Sequence, residues 1–569
     1  MLRVSFAFLV VLASVPAFAG ALWGTVKDGD GKPLHGVMVR LTDSASGISE
    51  SVYSGEDGSF VLETRLSGKL GLRLRHPYYH DVTQPVDLGG DGALKEDLTM
   101  SLMTGSREIS DSLPAAYHFG SLPFEEGDDA DFSRLHFQRD CLSCHQLGND
   151  FSRQQRSPES WVGTITRMHL YLGNFDMELR DARSVILSEG FDGKPITVRP
   201  QFPVAPELAR ARLTEYTLED AAVPHDAIYN PDDGLFYTVD QAMDFMAVTD
   251  PATGKTRYVT QAGGEAMSFQ QGFSKQNPVF GEFNPGASHG PHSLAMGLDG
   301  KYYVTNTGTR SIGVFNPETA AWEAAHLMAD ETRAIYPHTI RVAKDGMVWF
   351  TLTGSEQVGR LDPGKREFKV IDLPDQEILG IAGTTQPYGI DINPLDGSIW
   401  YTRLFADIIG RIDAETHEVV EYPSPVSGPR RMHFDKSGVL WVTGYSTGQL
   451  GRIEADGYKT KVYEMPEFAP GYRPAPYALG VHPDTQDIWV NENMTDRIYR
   501  FIPSEERWVF YPVPLRGTYT RDMTFTSQGE VCTSNNPLPP SALEGGVLQL
   551  ICIDPEYQPS EPRLAASGQ

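Results

Sequence analysis

Residues 337–362 read PHTIRVAKDGMVWFTLTGSEQVGRLD, and residues 387–413 read PYGIDINPLDGSIWYTRLFADIIGRID. The two stretches share a Pro-His or Pro-Tyr opening, an Asp-Gly turn, a Trp-aromatic-Thr segment and a Gly-Arg-aliphatic-Asp segment. This order predicts three strands joined by a turn and a loop, followed by an outer strand such as the one containing EYP at 421–423. Four short strands in a repeat of roughly 40–50 residues are typical of a β-propeller blade.

The repeat recurs through the C-terminal part of the chain, at Pro224, Pro291, Pro429 and Pro476, and more loosely at Thr520. These repeats predict a seven-bladed β-propeller over residues 201–557, followed by a tail at 558–569. The last repeat has no outer strand of its own, whereas residues 212–218 match the outer-strand pattern. We therefore expect residues 212–218 to pair with the strand that carries Cys552, because this pairing would close the ring and remove its exposed edges.

The second residue of each repeat begins an innermost strand, where propeller side chains ring one mouth of the central channel. In chain order these residues are His225, His292, His338, Tyr388, Arg430, Tyr477 and Arg521. Imidazoles bind transition metals and guanidiniums bind anionic groups. The alternative role of these side chains is hydrogen bonding to neighbouring backbone. The candidate catalytic residues are His292, His338, Tyr388 and Arg430, and the candidate ligands of a transition metal are His225, His292 and His338.

Residues 141–145, upstream of the repeats, read CLSCH. Two thiols at this spacing can bond both vinyl groups of one haem, and the imidazole that follows can bind the iron. Cys141 and Cys144 are therefore predicted to attach haem c covalently, with His145 as an iron ligand. The alternatives are a chance match and a redox-active Cys-x-x-Cys pair. The motif occurs once, so the prediction is one haem per chain.

Residues 105–200, which surround this motif, are predicted to form a small α-helical cytochrome c domain. Ser-Pro-Glu at 157–159 is typical of a helix start. Along one face of that helix lie Trp161, Ile165, Met168 and Leu172. A second helix is predicted over about residues 177–187.

A candidate for the sixth ligand of the iron lies on the helix that is predicted to start at residues 157–159. The stretch resembles small c-type cytochrome domains in which CxxCH is followed by Trp-x-x-x-x-x-Arg-Met, here Trp161 to Met168. The resemblance implies that the Met168 thioether binds the iron, ahead of Met177 and His169. Core packing is the alternative role of Met168.

Residues 20–104 alternate apolar and polar residues between glycine turns, as in GTVKD at 24–28, GVMVRL at 36–41 and DGSFVL at 57–62. This alternation predicts a β-sandwich. The pattern resembles the carboxypeptidase regulatory-like (transthyretin-like) domain, which implies an accessory module without catalytic residues. The whole chain is thus predicted to be mainly β.

The chain has 569 residues and a net charge of −27, which argues against nucleic acid or an anionic membrane surface as a partner. Residues 1–19 combine an early arginine, an apolar run and Ala-Phe-Ala before Gly20, so they predict a removable signal peptide and a periplasmic protein. No later stretch reaches about 18 apolar residues, so no transmembrane segment is predicted. Export permits a disulfide between Cys532 and Cys552, and the sequence leaves that bond open.

The repeats resemble those of the streptogramin (virginiamycin B) lyases, with Pro-His-x-Ile or Pro-Tyr-Gly-Ile openings and Trp-Phe-Thr and Ile-Gly-Arg bodies. The resemblance implies a site that contains glutamates, magnesium and an ordered His-His-Tyr set, here His292, His338 and Tyr388. At the expected glutamate positions stand Asn306, Leu352 and Arg403, and Glu492 occupies the equivalent position in another repeat. Magnesium prefers oxygen ligands, and the carboxylates that would supply them are missing at the expected repeats. We therefore do not predict the lyase reaction for this chain.

Three functions follow from these patterns. The first is periplasmic electron transfer or an oxidoreductase activity, with a small-molecule substrate, a metal or a periplasmic redox partner protein bound in the propeller funnel. The second is a carbon–oxygen lyase, and the third is a non-catalytic binding or sensing propeller. The first is preferred because the haem motif is the feature whose chemistry is most specific.

Overall fold

The computed structural model describes residues 20–89, 92–124, 134–142, 145–172, 176–262, 289–329, 332–379 and 383–559. The predicted signal peptide at 1–19 and residues 560–569 of the tail lie outside these ranges. Strands predominate, as predicted, and the α-helices lie between residues 106 and 190. Within the described ranges, no helix is both long and apolar enough to cross a membrane.

The N-terminal segment forms two facing sheets, as its alternating pattern predicts. Its strands are β1 (Gly20–Asp28), β2 (Met38–Asp43), β3 (Ile48–Tyr53), β4 (Ser59–Thr64), β5 (Gly68–Arg75), β6 (Val82–Leu88) and β7 (Ala93–Met100). One sheet has the order β4-β1-β7, and the strands of the other follow the order β3-β2-β5-β6. The two sheets share one apolar core that includes Leu22, Val39, Leu62 and Leu72.

The next segment is helical. It contains α1 (Ser106–Ser112), α2 (Ala115–Gly120), α3 (Arg134–Cys141), α4 (Pro158–Leu172) and α5 (Met177–Gly190). Phe119, Phe137 and Trp161 of these helices belong to one apolar cluster with Tyr388 and Tyr445 of the C-terminal repeats. The helices therefore pack on the repeat region rather than forming a core of their own.

In the described residues the C-terminal repeats form six separate four-stranded sheets, and a seventh set of four strands belongs to a larger sheet. The strands preceding and within the first three sheets are β8 (Arg212–Thr217), β9 (Pro224–Asn230), β10 (Leu235–Asp240), β11 (Phe245–Thr249), β12 (Thr256–Thr260), β13 (Pro291–Met296), β14 (Tyr302–Asn306), β15 (Ser311–Asn316), β16 (Ala321–Leu327), β17 (Pro337–Val342), β18 (Val348–Leu352), β19 (Gln357–Asp362) and β20 (Glu367–Asp372). The remaining strands are β21 (Pro387–Ile392), β22 (Ile399–Arg403), β23 (Ile408–Ile412), β24 (Val419–Pro423), β25 (Pro429–Phe434), β26 (Val439–Gly444), β27 (Gln449–Glu454), β28 (Lys459–Glu464), β29 (Pro476–Val481), β30 (Ile488–Glu492), β31 (Arg497–Ile502), β32 (Arg507–Pro512), β33 (Thr520–Phe525), β34 (Val531–Asn535) and β35 (Gln549–Asp554).

The seven sheets close into a propeller-like ring. Each innermost strand packs against the innermost strand of the next sheet, and β33 of the seventh sheet packs against β9 of the first. The second strands of four repeats carry a buried tryptophan: Trp349, Trp400, Trp441 and Trp489. Trp349, for example, shares an apolar cluster with Ile390 and Ile399 of the following sheet. Burying such a large aromatic side chain removes about 150–250 Å² from water, so these tryptophans stabilise the packing of neighbouring sheets.

The seventh sheet is completed by a strand from before the first repeat. β8 pairs antiparallel with β35, and Thr214 lies opposite Cys552. The other edge of β8 pairs with β3 of the sandwich, where Tyr216 lies opposite Ile48. One sheet of eight strands, in the order β33-β34-β35-β8-β3-β2-β5-β6, therefore runs from the ring into the sandwich.

Cys532 and Cys552 face each other on β34 and β35 and form a disulfide, with their Cα atoms 4.1 Å apart. The sequence left this bond open because a pairing register cannot be derived from two isolated cysteines. The disulfide joins the two strands next to β8, and so lies beside the closure of the ring.

An ion-pair cluster provides a second contact between the sandwich and the ring. Glu544 lies 2.6 Å from Arg75 and 3.2 Å from Arg73. Burial alone would raise the pKa of Glu544, but the hydrogen bond and charge of Arg75, together with the charge of Arg73, lower it to about 2.

This pKa predicts a loss of stability in acid. A carboxyl group whose pKa is lower in the folded state stabilises the fold above its unfolded pKa, and the effect is lost as the pH falls towards the folded pKa. We expect Glu544→Gln to have a lower melting temperature than the parent near neutral pH, with the difference shrinking between about pH 5 and pH 3. Glu506→Gln, which alters an exposed pair with Lys461, is the control and should show little difference at any pH. A Glu544→Gln difference that is constant with pH would contradict the prediction.

Candidate functional site

The seven predicted mouth residues lie together at one level of the central channel. The rings of His225, His292 and His338 are in contact in series and tilted against one another, with centroids 3.7 Å apart between the first two and 4.1 Å apart between the second and third. The ring of Tyr388 follows at 4.0 Å from His338. The remaining members are Arg430, Tyr477 and Arg521, and all seven side chains are buried. We call these seven residues the funnel ring.

The histidine half of the funnel ring is a potential metal site. Burial, together with neighbouring positive charges, lowers the pKa of His225 well below its usual range. Burial and the neighbouring imidazoles do the same for His292 and His338. The imidazoles are therefore neutral at neutral pH, and neutral imidazole is the form that binds metals. The Nδ1 atom of His292 is buried and has no hydrogen-bond partner among the described residues.

Asp226 adds a carboxylate to these imidazoles. Ligand atoms of His225, Asp226 and His292 all lie within 4.8 Å of one another, which is close enough to share one ion. The carboxylate also lies 2.9 Å from Nδ1 of His225. Asp226 was not among the residues predicted from sequence. Its position directly after a Pro-His opening was the available signal, but strict strand alternation would turn it away from the channel.

The other half of the funnel ring combines arginines and tyrosines. The hydroxyl groups of Tyr388 and Tyr477 lie 3.1 Å apart. Arg430 donates a hydrogen bond to the first hydroxyl at 2.9 Å, and Arg521 donates to the second at 2.8 Å. Burial raises the pKa of Tyr477, but the charges of Arg521 and Arg430 outweigh burial and give a net lowering. This half therefore carries positive charge inside a protein of strongly negative net charge.

Beneath the funnel ring, an ion network fills the channel. Arg431 reaches across to Asp226 and Asp522, at 3.3 Å from each carboxylate. Asp522 also lies 3.4 Å from Arg341. His433 adjoins the same group, 3.8 Å from Asp522. These contacts place paired charges next to the funnel ring.

The predicted haem segment lies directly over the funnel ring. α3 ends at Cys141, and the carbonyl of Leu142 accepts hydrogen bonds from the hydroxyls of Tyr445 and Tyr519, the second at 2.6 Å. These tyrosines in turn flank the arginines of the funnel ring. The guanidinium of Arg430 lies 4.2 Å from the centre of the Tyr445 ring, and that of Arg521 lies 4.6 Å from the centre of the Tyr519 ring.

The described residues of the CLSCH motif are Cys141, Leu142 and His145. Nδ1 of His145 lies 2.7 Å from the carbonyl of Gln146, a hydrogen bond that orients the imidazole and leaves Nε2 free of this contact. Burial raises the pKa of the Cys141 thiol to about 11 and lowers the pKa of His145. The imidazole is therefore neutral, as an iron ligand must be. Cys144 lies outside the described residues.

On α4, the structure differs from the predicted helical face. Trp161 and Ile165 are buried as predicted, but Met168 is only half-buried and its neighbour His169 is buried. The imidazole of His169 lies 2.8 Å from Arg183, which also bonds Asp140 at 2.6 Å. The polar contacts of His169 with Arg183 turn that side of the helix inward. Met168 remains the predicted iron ligand, and Met177, 66% exposed at the start of α5, is the less suitable methionine.

The glutamates implied by the lyase resemblance have no counterparts at the expected strands. Asn306 bonds Ser311, and Arg403 pairs with Glu356 and Glu421. Glu492 is buried, and it accepts hydrogen bonds from Thr495 at 2.6 Å and from the Met494 backbone at 3.1 Å. Its carboxylate holds a loop in place and does not join the funnel ring's histidines.

Two family models match parts of the chain. The virginiamycin B lyase family matches residues 280–469 and 382–537, and the carboxypeptidase regulatory-like domain matches residues 21–101. The resemblances noted for the repeats and for the N-terminal segment are thereby supported. The helical segment that contains CLSCH lies outside both matches. A search of curated proteins found no match.

Solved structures of similar shape include a streptogramin B lyase, at 18% identity, a TM-score of 0.48, and coverage of 60% of this chain and 97% of that one. Selenomethionine-substituted virginiamycin B lyase from Staphylococcus aureus matches at 16% identity and a TM-score of 0.46, covering 60% and 99% of the two chains. Kuenenia stuttgartiensis hydrazine synthase matches at 15% identity and a TM-score of 0.44, covering 58% and 96%.

Proposed function

We propose that this protein is a periplasmic c-type cytochrome in which one covalent haem, over the funnel ring, exchanges electrons with a molecule or metal bound there. The observation that carries the proposal is the pair of hydrogen bonds from Tyr445 and Tyr519 to Leu142, the residue after the first motif cysteine. They join the haem segment to the arginine half of the funnel ring. Cys141 and His145 would hold the haem, and Leu142 between them is linked to Arg430 through Tyr445 and to Arg521 through Tyr519.

In this proposal, Cys141 and Cys144 bond the haem and His145 binds its iron, with Met168 as the predicted sixth ligand. A haem relays one electron at a time between partners. The contribution of the chain is to orient His145 through the Gln146 carbonyl. The hydroxyls of Tyr445 and Tyr519 hold the segment against the funnel ring.

The funnel ring would hold the second redox centre. A transition metal bound by His225, His292 and Asp226, with His338 alongside, is the occupant that its donor set favours. Two imidazoles and one carboxylate suit copper or iron better than magnesium, which prefers oxygen ligands throughout. The Arg430 and Tyr388 side of the ring would then bind and orient the substrate or redox partner.

The haem proposal is tested by exporting the complete chain in a bacterial host that has haem-attachment machinery. We expect the parent protein to retain one haem per chain after denaturing solvent extraction, and Cys141→Ala/Cys144→Ala to retain none, because both thioether bonds are lost. Cys532→Ala/Cys552→Ala is the matched control, since it removes two cysteines remote from the motif and should keep the haem. A parent protein without covalent haem would overturn the proposal.

The metal is tested separately by elemental analysis of protein produced with copper and iron in the medium. Near-stoichiometric metal beyond the haem iron is expected in the parent protein and in His326→Ala, a control on the ring's partly exposed outer strand β16. His292→Ala should lose it. Equal metal content in His292→Ala and His326→Ala would contradict the proposed transition-metal site. Activity that depends only on added magnesium would also contradict it.

A further inference from the structure

A cavity of about 110 Å³ lies where the sandwich, the helical segment and the ring meet. Most of its wall is apolar, and all three parts of the chain contribute to it. Its apolar residues include Met38, Leu113, Phe202, Val204, Val513 and Leu515. Since one water needs about 10–15 Å³ of such space, the cavity has room for a molecule of roughly eight non-hydrogen atoms.

The charged lining of this cavity is predominantly positive. Arg75, Arg497 and Arg516 line it, whereas Asp496 is the one carboxylate among the described lining residues. Asp496 is already engaged, because it accepts hydrogen bonds from Gln146 at 2.8 Å and from the Thr518 backbone at 2.9 Å. The lining thus has the opposite sign to the net charge of the chain.

One of the three arginines is neutralised within the protein. Arg75 lies 2.6 Å from both Asp81 and Glu544. These two carboxylates balance its charge, so Arg75 supports the wall of the cavity and has little remaining capacity for an anion.

The other two arginines have no carboxylate of their own. Neither Arg497 nor Arg516 forms a side-chain hydrogen bond or an ion pair within the described part of the chain. Arg497 packs between aromatic rings, 4.1 Å from the centre of Phe468 and 5.5 Å from that of Phe202, and its Nη1 is buried without a partner. Burial and the charge of Arg75 lower the pKa of Arg516. A buried guanidinium without a partner is costly, and an anion in the cavity would relieve that cost.

We propose that this cavity binds a small organic carboxylate, with its carboxyl group at Arg516 and Arg497 and its apolar body against Leu113, Phe202 and Val513. A guanidinium can bond both oxygens of a carboxylate, and the apolar wall favours a hydrocarbon body over a second charge. The site is distinct from the funnel ring and requires neither a haem nor a metal.

The proposal is tested by isothermal titration calorimetry on the complete exported protein with hexanoate as the probe. Acetate retains the charge without the body, and hexan-1-ol retains the body without the charge. We expect saturable binding of hexanoate that is at least tenfold tighter than that of either comparison molecule. Arg516→Gln should weaken hexanoate binding tenfold or more, and Arg516→Lys should retain part of it.

Arg411→Gln is the matched control, because it removes an arginine from an exposed pair with Asp396 elsewhere on the ring and should leave binding unchanged. Arg497→Gln provides a second test, and circular dichroism establishes that each variant is folded.

If Arg497→Gln does not fold, Arg516→Gln decides, since the Arg516 side chain has no hydrogen bond or ion pair in the described part of the chain that the variant would lose. The proposal is overturned if hexan-1-ol binds as tightly as hexanoate, if folded Arg516→Gln binds as the parent does, or if hexanoate does not saturate. Cys141→Ala/Cys144→Ala should bind hexanoate normally, which separates this outcome from that of the haem proposal.

Discussion

Replacing Asp140 by leucine is expected to lower the free energy of unfolding by about 3–5 kcal/mol. Asp140 immediately precedes the first motif cysteine, and its side chain is fully buried. It lies 2.6 Å from Arg183 and 2.9 Å from Arg139, whose side chains are 1% and 7% exposed. Leucine fills a similar volume but leaves two buried guanidiniums without their carboxylate, and an uncompensated buried charge is what makes such a change severe.

Urea unfolding followed by circular dichroism measures this loss. The control is Asp181→Leu on α5, where the partner Arg180 and Asp181 itself are 22% and 58% exposed. That change should cost no more than about 1 kcal/mol, because water replaces the lost interaction. Equal losses in the two variants would show that the buried position of Asp140 does not determine its contribution.

The second large effect is expected from Arg431→Met. Arg431 is fully buried and bridges Asp226 and Asp522 across the channel. Methionine keeps an apolar stem of comparable length but removes the charge that both carboxylates face. We expect a destabilisation of about 3–5 kcal/mol, since breaking a buried pair leaves uncompensated charge in a medium of low dielectric.

A double variant tests the cause of this loss. Adding Asp226→Asn to Arg431→Met removes one of the two stranded charges and should restore part of the stability. Arg411→Met, in a pair that is 39% and 49% exposed, should change stability by less than about 1 kcal/mol. The double variant could instead lose as much unfolding free energy as the two single variants together. That result would show that the unpaired carboxylate of Asp226 is not the cause of the loss in Arg431→Met.

The ring architecture could be predicted from sequence because each repeat carries its own turn and strand signals. The Trp349 and Trp400 strands, for example, repeat one pattern of burial at one spacing, and the structure places both between neighbouring sheets. The histidines, tyrosines and arginines of the funnel ring could be predicted for the same reason. A residue that opens an innermost strand must lie near the axis, whatever its chemical type.

The network beneath the funnel ring could not be predicted, because the inner strands do not alternate at their start. The pairing register shifts there, for example between Pro429 and Met432. A bulge of this kind breaks the period of two, so that consecutive residues can both face the channel. Arg430 therefore contacts Tyr388, while the adjacent Arg431 contacts Asp226 and Asp522. Alternation alone assigns one of the two arginines to the wrong side.

The orientation of α4 was a second limit. Apolar spacing placed Met168 on the buried face, whereas the structure buries His169. The spacing of apolar residues predicts which face of a helix is buried. It cannot predict that a histidine is buried because its Nε2 contacts an arginine on another helix. The His169–Arg183–Asp140 contacts join three consecutive helices, and the pattern of residues along any one helix does not predict contacts between helices.

The shared strand β8 has a consequence for how the molecule unfolds. Because one edge of β8 completes the ring and the other continues into the sandwich, neither part can separate without exposing the unpaired backbone of the other. The sequence suggests a domain boundary near residue 104, but the sandwich before it and the ring after it should not unfold independently. The sandwich and the seventh sheet should lose their amide-exchange protection together, as one unit. A fragment that begins after the sandwich would present β8 as an open template for another chain.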